Sequence, residues 1–111
     1  MRVMCLAVCL VTAGGMPAMA QGTQAIERGQ KVYAAEKCSI CHAVGDQGNK
    51  RGPLDGVGSK LSADDIRLWI VNAPEMTAKT KATRKPVMKS YAQLPKDDVD
   101  GLVAYLQSLK K

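Results

Sequence analysis

The residues best equipped for chemistry stand side by side as Cys38-Ser39-Ile40-Cys41-His42. Two thiols three positions apart, followed at once by an imidazole, form the attachment pattern of a c-type haem. In it both cysteines become thioethers on the porphyrin and the histidine becomes an iron ligand. The spacing follows from the shape of the group: the thiols must reach two vinyls on one edge of the macrocycle while the next residue turns under the ring to the metal. A zinc half-site is one competing use, but zinc takes four ligands and beyond residue 20 the chain offers no further Cys or His. A dithiol oxidoreductase is another, and the βαβ pattern expected around such a motif is absent. The expected cofactor is therefore one haem c, bound through Cys38 and Cys41, with His42, the only histidine, on the metal.

Iron held by histidine on one side invites a second ligand on the other. A thioether there is weak and soft, raises the reduction potential and keeps the iron six-coordinate in both oxidation states, which suits electron transfer. Beyond residue 20 only Met76 and Met88 can supply it, 34 and 46 residues after His42. A chain that passes beneath the ring, forms a helix and then crosses to the opposite face needs the longer path. That favours Met88 and leaves Met76 as an ordinary filler.

Several elements must position these groups. Thr23 is a candidate N-cap, and Ile26, Gly29, Val32 and Tyr33 share one face, which predicts a helix over 24–36. Gly29 costs that helix about 1 kcal/mol relative to Ala, tolerable if another helix crosses closely there. Five glycines and a proline between Ala43 and Gly58 exclude a long regular element. A histidine ligand works best when its other ring nitrogen donates to a fixed acceptor, and this loop, stiffest at Gly52-Pro53, is where that carbonyl is expected. Ser62 caps a second helix in a Ser-x-x-Asp arrangement with Asp65, Leu61 and Ile66 stand at staple positions, and Pro74 stops the helix. Its apolar face carries Ile66, Trp69, Ile70 and Ala73. In so small a domain core and cofactor wall nearly coincide, so Trp69 is a candidate for either.

Residues 77–95 read as irregular, with Lys79, Lys81, Arg84, Lys85 and Lys89 and no acidic residue, together with Met88 and Tyr91. Such a run is commonly a solvated loop, but if Met88 reaches iron these cations must ring the haem opening. A last helix starts near Pro95, with Asp97 and Asp98 on its positive end and Lys110-Lys111 on its negative end. Val99, Leu102, Val103, Leu106 and Leu109 form its apolar stripe, with Tyr105 on the shoulder, the natural partner for the helix that contains Gly29.

Residues 1–20 read as a secretory signal peptide: Met1-Arg2, an apolar stretch over Val3–Ala13 too short to span a bilayer, and a small-x-small site at Ala18-Met19-Ala20. Cys9 as a lipid-anchor site is disfavoured by the bulky Val8 before it and by the cleavage site downstream. Removing 20 of 111 residues leaves 91, a single domain over 21–111 with no Phe, one Trp and three Tyr. A chain of that size and composition needs a staple. A porphyrin burying on the order of 400 Å² of apolar surface would contribute roughly 10 kcal/mol, comparable to a whole domain's net stability. Without Arg2 the net charge of +6 becomes +5. Basicity often signals nucleic acid, but export argues against that partner; docking to acidic protein surfaces or loose attraction to anionic membrane lipid remains, and the protein partner is favoured because the sequence shows no basic amphipathic helix of the membrane-lying kind.

Taken in order, the set resembles the class I c-type cytochromes, small monohaem electron carriers. The residues that carry the resemblance are Gly29-Gln30-Lys31-Val32-Tyr33, the Cys38–His42 motif, Gly52 through Gly58, Lys85-Pro86-Val87-Met88-Lys89-Ser90-Tyr91 and Leu102-Val103-Ala104-Tyr105-Leu106. The resemblance implies an all-α fold of about three main helices around one covalent haem, with the first and last helices crossing at right angles and Gly29 and Tyr33 against Tyr105. It also implies that Pro53 offers its carbonyl to His42, that Met88 is the distal ligand, and that Trp69 and Tyr91 belong to the cofactor wall. The pattern departs at Lys89, where many relatives carry proline, which removes a stiffener. The function expected is a monomeric, exported or periplasmic carrier of one electron, not an enzyme, working between a dehydrogenase or membrane complex and an acceptor such as an oxidase. A gas-binding or peroxidatic haem protein with a labile Met88 is the alternative. Chain made without haem is expected to be largely unfolded. Far-ultraviolet circular dichroism of Cys38→Ala/Cys41→Ala should show most helical signal lost, and a fully helical apo chain would contradict the stapling role.

Overall fold

The computed structural model describes residues 18–111, with side chains from residue 22 onward. Most of the proposed leader, residues 1–17, lies outside the described residues. The chain is mainly helical: α1 (Ala18–Ala35), a 3₁₀ turn (Cys38–Ile40), a short antiparallel pair β1 (Ala43–Val44) and β2 (Gln47–Gly48), then α2 (Val57–Lys60), α3 (Ala63–Val71), α4 (Ala73–Thr80) and α5 (Lys96–Ser108). The all-α expectation holds, with β1 and β2 amounting to two residues each.

α1 starts earlier than the expected residue 24, so Thr23 lies inside the helix and is not its cap. The sequence Ala18-Met19-Ala20-Gln21 consists of strong helix formers with no breaker before Gly22, and helical propensity carries the element through it. At the other end Lys37 takes a left-handed conformation, φ 56°, at a cost of about 1 kcal/mol, and turns the chain sharply from α1 into the cysteine segment.

α3 begins where its cap predicts: the Ser62 hydroxyl accepts from the Asp65 amide at 3.1 Å. Pro74, however, does more than stop it. Asn72 ends α3, and Pro74 sits in the first turn of α4, where its missing N–H costs nothing. The stretch expected to be irregular from residue 77 is therefore helical to Thr80, and Met76 is buried on α4. α5 follows Pro95 with Asp97 and Asp98 in its first turn, but Lys110 and Lys111 lie beyond its last turn. They serve another contact: the Lys111 amide donates to the Ser59 hydroxyl, and the Gly58 amide donates to the Leu109 carbonyl, tying α2 to the C-terminus.

The core gathers Val32 from α1, Ile66 and Ile70 from α3, and Val99, Leu102 and Val103 from α5. Its tightest point is the α1–α5 crossing. A Cβ on Gly29 would overlap the Gly101 carbonyl and the Tyr105 side chain, so only glycine permits the approach. One turn on, the Tyr33 and Tyr105 rings meet edge to face, centroids 5.6 Å apart. Ion pairs brace the outside: Arg28–Asp98 at 2.7 Å, and Asp100 between Arg67 at 2.6 Å and Lys96 at 2.7 Å. The hydrogen bonds from Lys96 and Arg67 hold the Asp100 carboxyl below its ordinary range. Their contribution is therefore present at neutral pH and is lost as pH falls through that lowered value.

Gly29→Ala separates two effects of opposite sign. Helix propensity alone would stabilise by about 1 kcal/mol. Overpacking against the Gly101 backbone is expected to win and destabilise the holoprotein by about 1–3 kcal/mol, read as a lower urea midpoint. An unchanged or higher midpoint would contradict the close crossing.

Candidate functional site

The 3₁₀ turn places the two thiols. The Cys41 and His42 amides both donate to the Cys38 carbonyl, at 3.1 and 2.9 Å, so the chain from Cys38 to His42 closes into one compact turn. All three side chains face a cavity of about 660 Å³, within the roughly 300–1,000 Å³ span of cofactor sites. α3 contributes Ile66, Trp69 and Ile70 to its wall, α5 contributes Leu102 and Leu106, and the segment after α4 contributes Met88 and Tyr91. Three of these residues, Ile66, Ile70 and Leu102, also belong to the core cluster. Core and cavity wall thus coincide, as so small a domain requires. Trp69, half-buried on the cavity wall, is on the cofactor side of that boundary.

His42 is positioned through its ring. Nδ1 lies 3.1 Å from the Gly52 carbonyl, and because a carbonyl can only accept, Nδ1 carries the proton and Nε2 keeps its lone pair. Burial pushes the imidazole below its usual pKa, partly opposed by the Gly52 bond, with Arg84 adding to the lowering. The acceptor therefore comes from the loop that was expected to supply it, but from Gly52 and not Pro53. Pro53 is exposed and forms a parallel bridge with Ala43, and its neighbours fix the strand: the Ala43 amide donates to Gly52 O and the Leu54 amide to Ala43 O. Backbone register, which residue type does not reveal, moved the role by one position.

The two thiols are free and half-buried. Burial, with Glu36 next in effect, pushes Cys38 up to about 11. A redox-active dithiol needs a depressed thiol pKa, so this environment is unlike that of an oxidoreductase. Among the described residues no three of His, Cys, Asp or Glu gather as a metal-binding group, so a zinc half-site here has nothing to complete it.

The methionines separate. Met88 is half-buried on the cavity wall, whereas Met76 is 8% exposed inside α4 and absent from that wall. The end of the Met88 segment is pinned to the last carbonyls of α3: the Tyr91 amide donates to Ile70 O at 2.9 Å and the Ser90 hydroxyl to Val71 O at 2.5 Å. These are carbonyls that a helix terminus leaves without intrahelical partners. Lys89 Nζ lies 5.1 Å from the Tyr91 ring centre.

Of the expected cationic ring, Arg84 and Lys89 reach the cavity, while Lys79, Lys81 and Lys85 are exposed outside it. Arg84, though exposed, bonds the cysteine turn, its Nη2 donating to the Cys41 carbonyl at 2.5 Å. Lys37 joins the cavity mouth from the other side, a position that the charge run did not include. Tyr33 was read as a helix-crossing residue and also lines the cavity. Its hydroxyl is buried without a hydrogen-bond partner among the described residues, and burial pushes it up to about 12.

The residues present fit a haem: a largely apolar cavity lined by two thiols, by a histidine whose Nδ1 is held by the Gly52 carbonyl, and by a thioether. The comparisons with known proteins agree. The chain is 29% identical over 92 residues to cytochrome c oxidase subunit 2 of Alkalihalophilus pseudofirmus, a match that covers 75% of this chain and 25% of that protein. This chain thus spans about a quarter of the length of the relative. No solved structure matches. A family model described as cytochrome c matches residues 26–110. With that match across nearly the whole described chain, the protein belongs to the cytochrome c family and has its all-α, class I fold, a haem c electron-transfer domain.

Proposed function

We propose that this chain is an exported electron carrier, not an enzyme, that holds one haem c through Cys38 and Cys41 with His42 and Met88 as axial ligands. The observation that carries the reading is one cavity collecting Cys38, Cys41, His42 and Met88 while leaving Met76 in the core. When bound, the haem supplies a one-electron Fe(II)/Fe(III) couple. The chain's own part is to hold His42 neutral and oriented through Gly52, to exclude water with Trp69, Ile70 and Leu102, and to keep the ligand geometry alike in both states.

Partner contact is proposed at the cavity mouth. Ile40, 65% exposed between the two cysteines, and Val87, 40% exposed beside Met88, give it an apolar centre. Lys37 and Lys89 line the same cavity, and the exposed Lys79, Lys81 and Lys85 add positive charge along the chain that leads to Met88. Such a surface suits an acidic redox partner, with charge setting the encounter rate and apolar contact the lifetime. The likeness to an oxidase subunit supports an oxidase among the candidates, beside a dehydrogenase or membrane complex. Among the described residues no helix is long and apolar enough to cross a membrane. Export rests on the leader pattern of residues 1–20, and cleavage after Ala20 would leave α1 beginning at Gln21.

A second reading, a gas-binding or peroxidatic protein with a labile distal ligand, draws on the uninterrupted exposure of Lys81–Val87 just before Met88. The oxidised holoprotein is expected to show the weak sulfur-to-iron charge-transfer band, lost in Met88→Ala and kept in Met76→Ala. Absence of the band in wild type, with carbon monoxide binding readily to the reduced protein at neutral pH, would move the second reading ahead. Reaction with an acidic partner should slow about tenfold or more as ionic strength rises from about 0.01 M to 0.15 M. A rate indifferent to salt would remove the docking role of the lysines and leave the haem chemistry standing.

A further inference from the structure

The segment that carries Met88 is thinly attached. From Lys81 to Val87 every residue is exposed, and among the described residues a single hydrogen bond joins positions 83–89 to the rest of the protein. That bond is the one from Arg84 Nη2 to the Cys41 carbonyl, 2.5 Å long. It joins the Met88 segment to the turn that holds the attachment motif, and both of its residues line the cavity. The guanidinium lies in a notch left by Gly52, where a Cβ would overlap both Arg84 Nη1 and the Cys41 carbonyl. Gly52 is also the residue whose carbonyl takes the His42 ring. One side chain therefore rests on the backbone that orients one axial candidate while belonging to the segment that presents the other.

We propose that Arg84 is a positioning residue, a strap that holds the Met88 segment against the His42 turn and so determines how firmly Met88 meets the iron. The inference rests on the Met88 reading above and adds to it a tether that neither the motif nor the family match assigns. The physical case has three parts. A thioether is a weak ligand, so the free energy of ordering the loop that carries it competes directly with the bond. A hydrogen bond from a charged donor to a carbonyl is about twice as strong as a neutral one, enough to influence that competition. The flat guanidinium fits a notch beside a glycine in a way that a lysine ammonium, a strongly hydrated point charge, does not. Arg84 is thereby separated from the neighbouring lysines: it too is exposed, but its guanidinium is engaged by the Cys41 carbonyl.

The test compares the haem-loaded wild type with Arg84→Ala, Arg84→Lys and Lys60→Ala, the last removing an exposed charge outside both the strap and the docking surface. Backbone amide order parameters of residues 83–89 other than Pro86, the sulfur-to-iron band and the rate of carbon monoxide binding to the reduced protein are measured together. In Arg84→Ala, the order parameters are expected to fall from rigid toward flexible values, carbon monoxide binding to rise about tenfold or more, and the band to weaken, because a bond to a charged group is lost. Arg84→Lys should fall between wild type and Ala, and Lys60→Ala should match wild type. If Arg84→Ala yields no stable holoprotein, the Lys variant carries the same comparison. Order parameters and band unchanged in Arg84→Ala or, failing that, in Arg84→Lys would overturn the strap, as would an equal effect from Lys60→Ala. A wild type that lacks the band altogether would overturn the Met88 reading and the positioning role with it, whereas the order-parameter comparison would still decide whether the tether exists.

Discussion

The structure depends on a space that the chain encloses but cannot fill with its own side chains. With no Phe and one Trp, the described residues form a small core of Val32, Ile66, Ile70, Val99, Leu102 and Val103, and half of that core also faces the cavity. Side chains of this kind gain their stabilisation from apolar contact on every side, and here one side is left to the cofactor. The covalent motif makes that dependence durable, since thioethers at Cys38 and Cys41 would prevent the filler from leaving. The close packing at Gly29 and Gly101 forms the opposite pole: α1 and α5 interlock backbone to backbone and provide the frame against which the cysteine turn is held.

Electrostatics within the cavity and at its mouth serve different ends. Inside, burial favours neutral forms, pushing the Cys38 thiol and the Tyr33 hydroxyl up and the His42 imidazole down. For His42 this agrees with its proposed use, because only the neutral ring has a lone pair to give, and the Gly52 carbonyl decides which nitrogen gives it. At the mouth the charges are mostly cationic and exposed, with Glu36 the one carboxylate among the described lining residues, and there salt can screen them and they act on approach more than on stability. Arg84 belongs to neither class. Its charge is spent on a backbone carbonyl that links the two sides of the cavity.

Much of the fold was legible from local rules. Ser62 announced the start of α3 because a hydroxyl before an apolar-periodic run satisfies an otherwise unpaired amide, and the structure contains that bond. Gly29 by itself fitted a tolerated glycine as well as a close helix crossing, and it was the apolar stripe of the last helix that offered the crossing its partner. Pro74 was ambiguous: the same ring that cannot continue a helix is welcome in the first turn of the next one, and the chain took the second course with only Asn72 between α3 and α4. The start of α1 was missed in the other direction, because a possible cap at Thr23 carried more weight than the helix-forming residues before it.

The sequence by itself determined the chemistry, since covalent attachment needs two thiols and an imidazole at one spacing within a single turn, and that spacing is a property of consecutive residues. It also determined the helical frame, through apolar periodicity and caps that act over three or four positions. Tertiary structure alone decided which carbonyl orients His42, because backbone register separates Gly52 from Pro53 where composition cannot. It likewise decided that Met88 faces the cavity and Met76 the core, and that Arg84 bonds the Cys41 carbonyl. Those contacts join residues ten to about fifty positions apart, and what brings them together is the packing of α1, α3 and α5, which no local rule encodes.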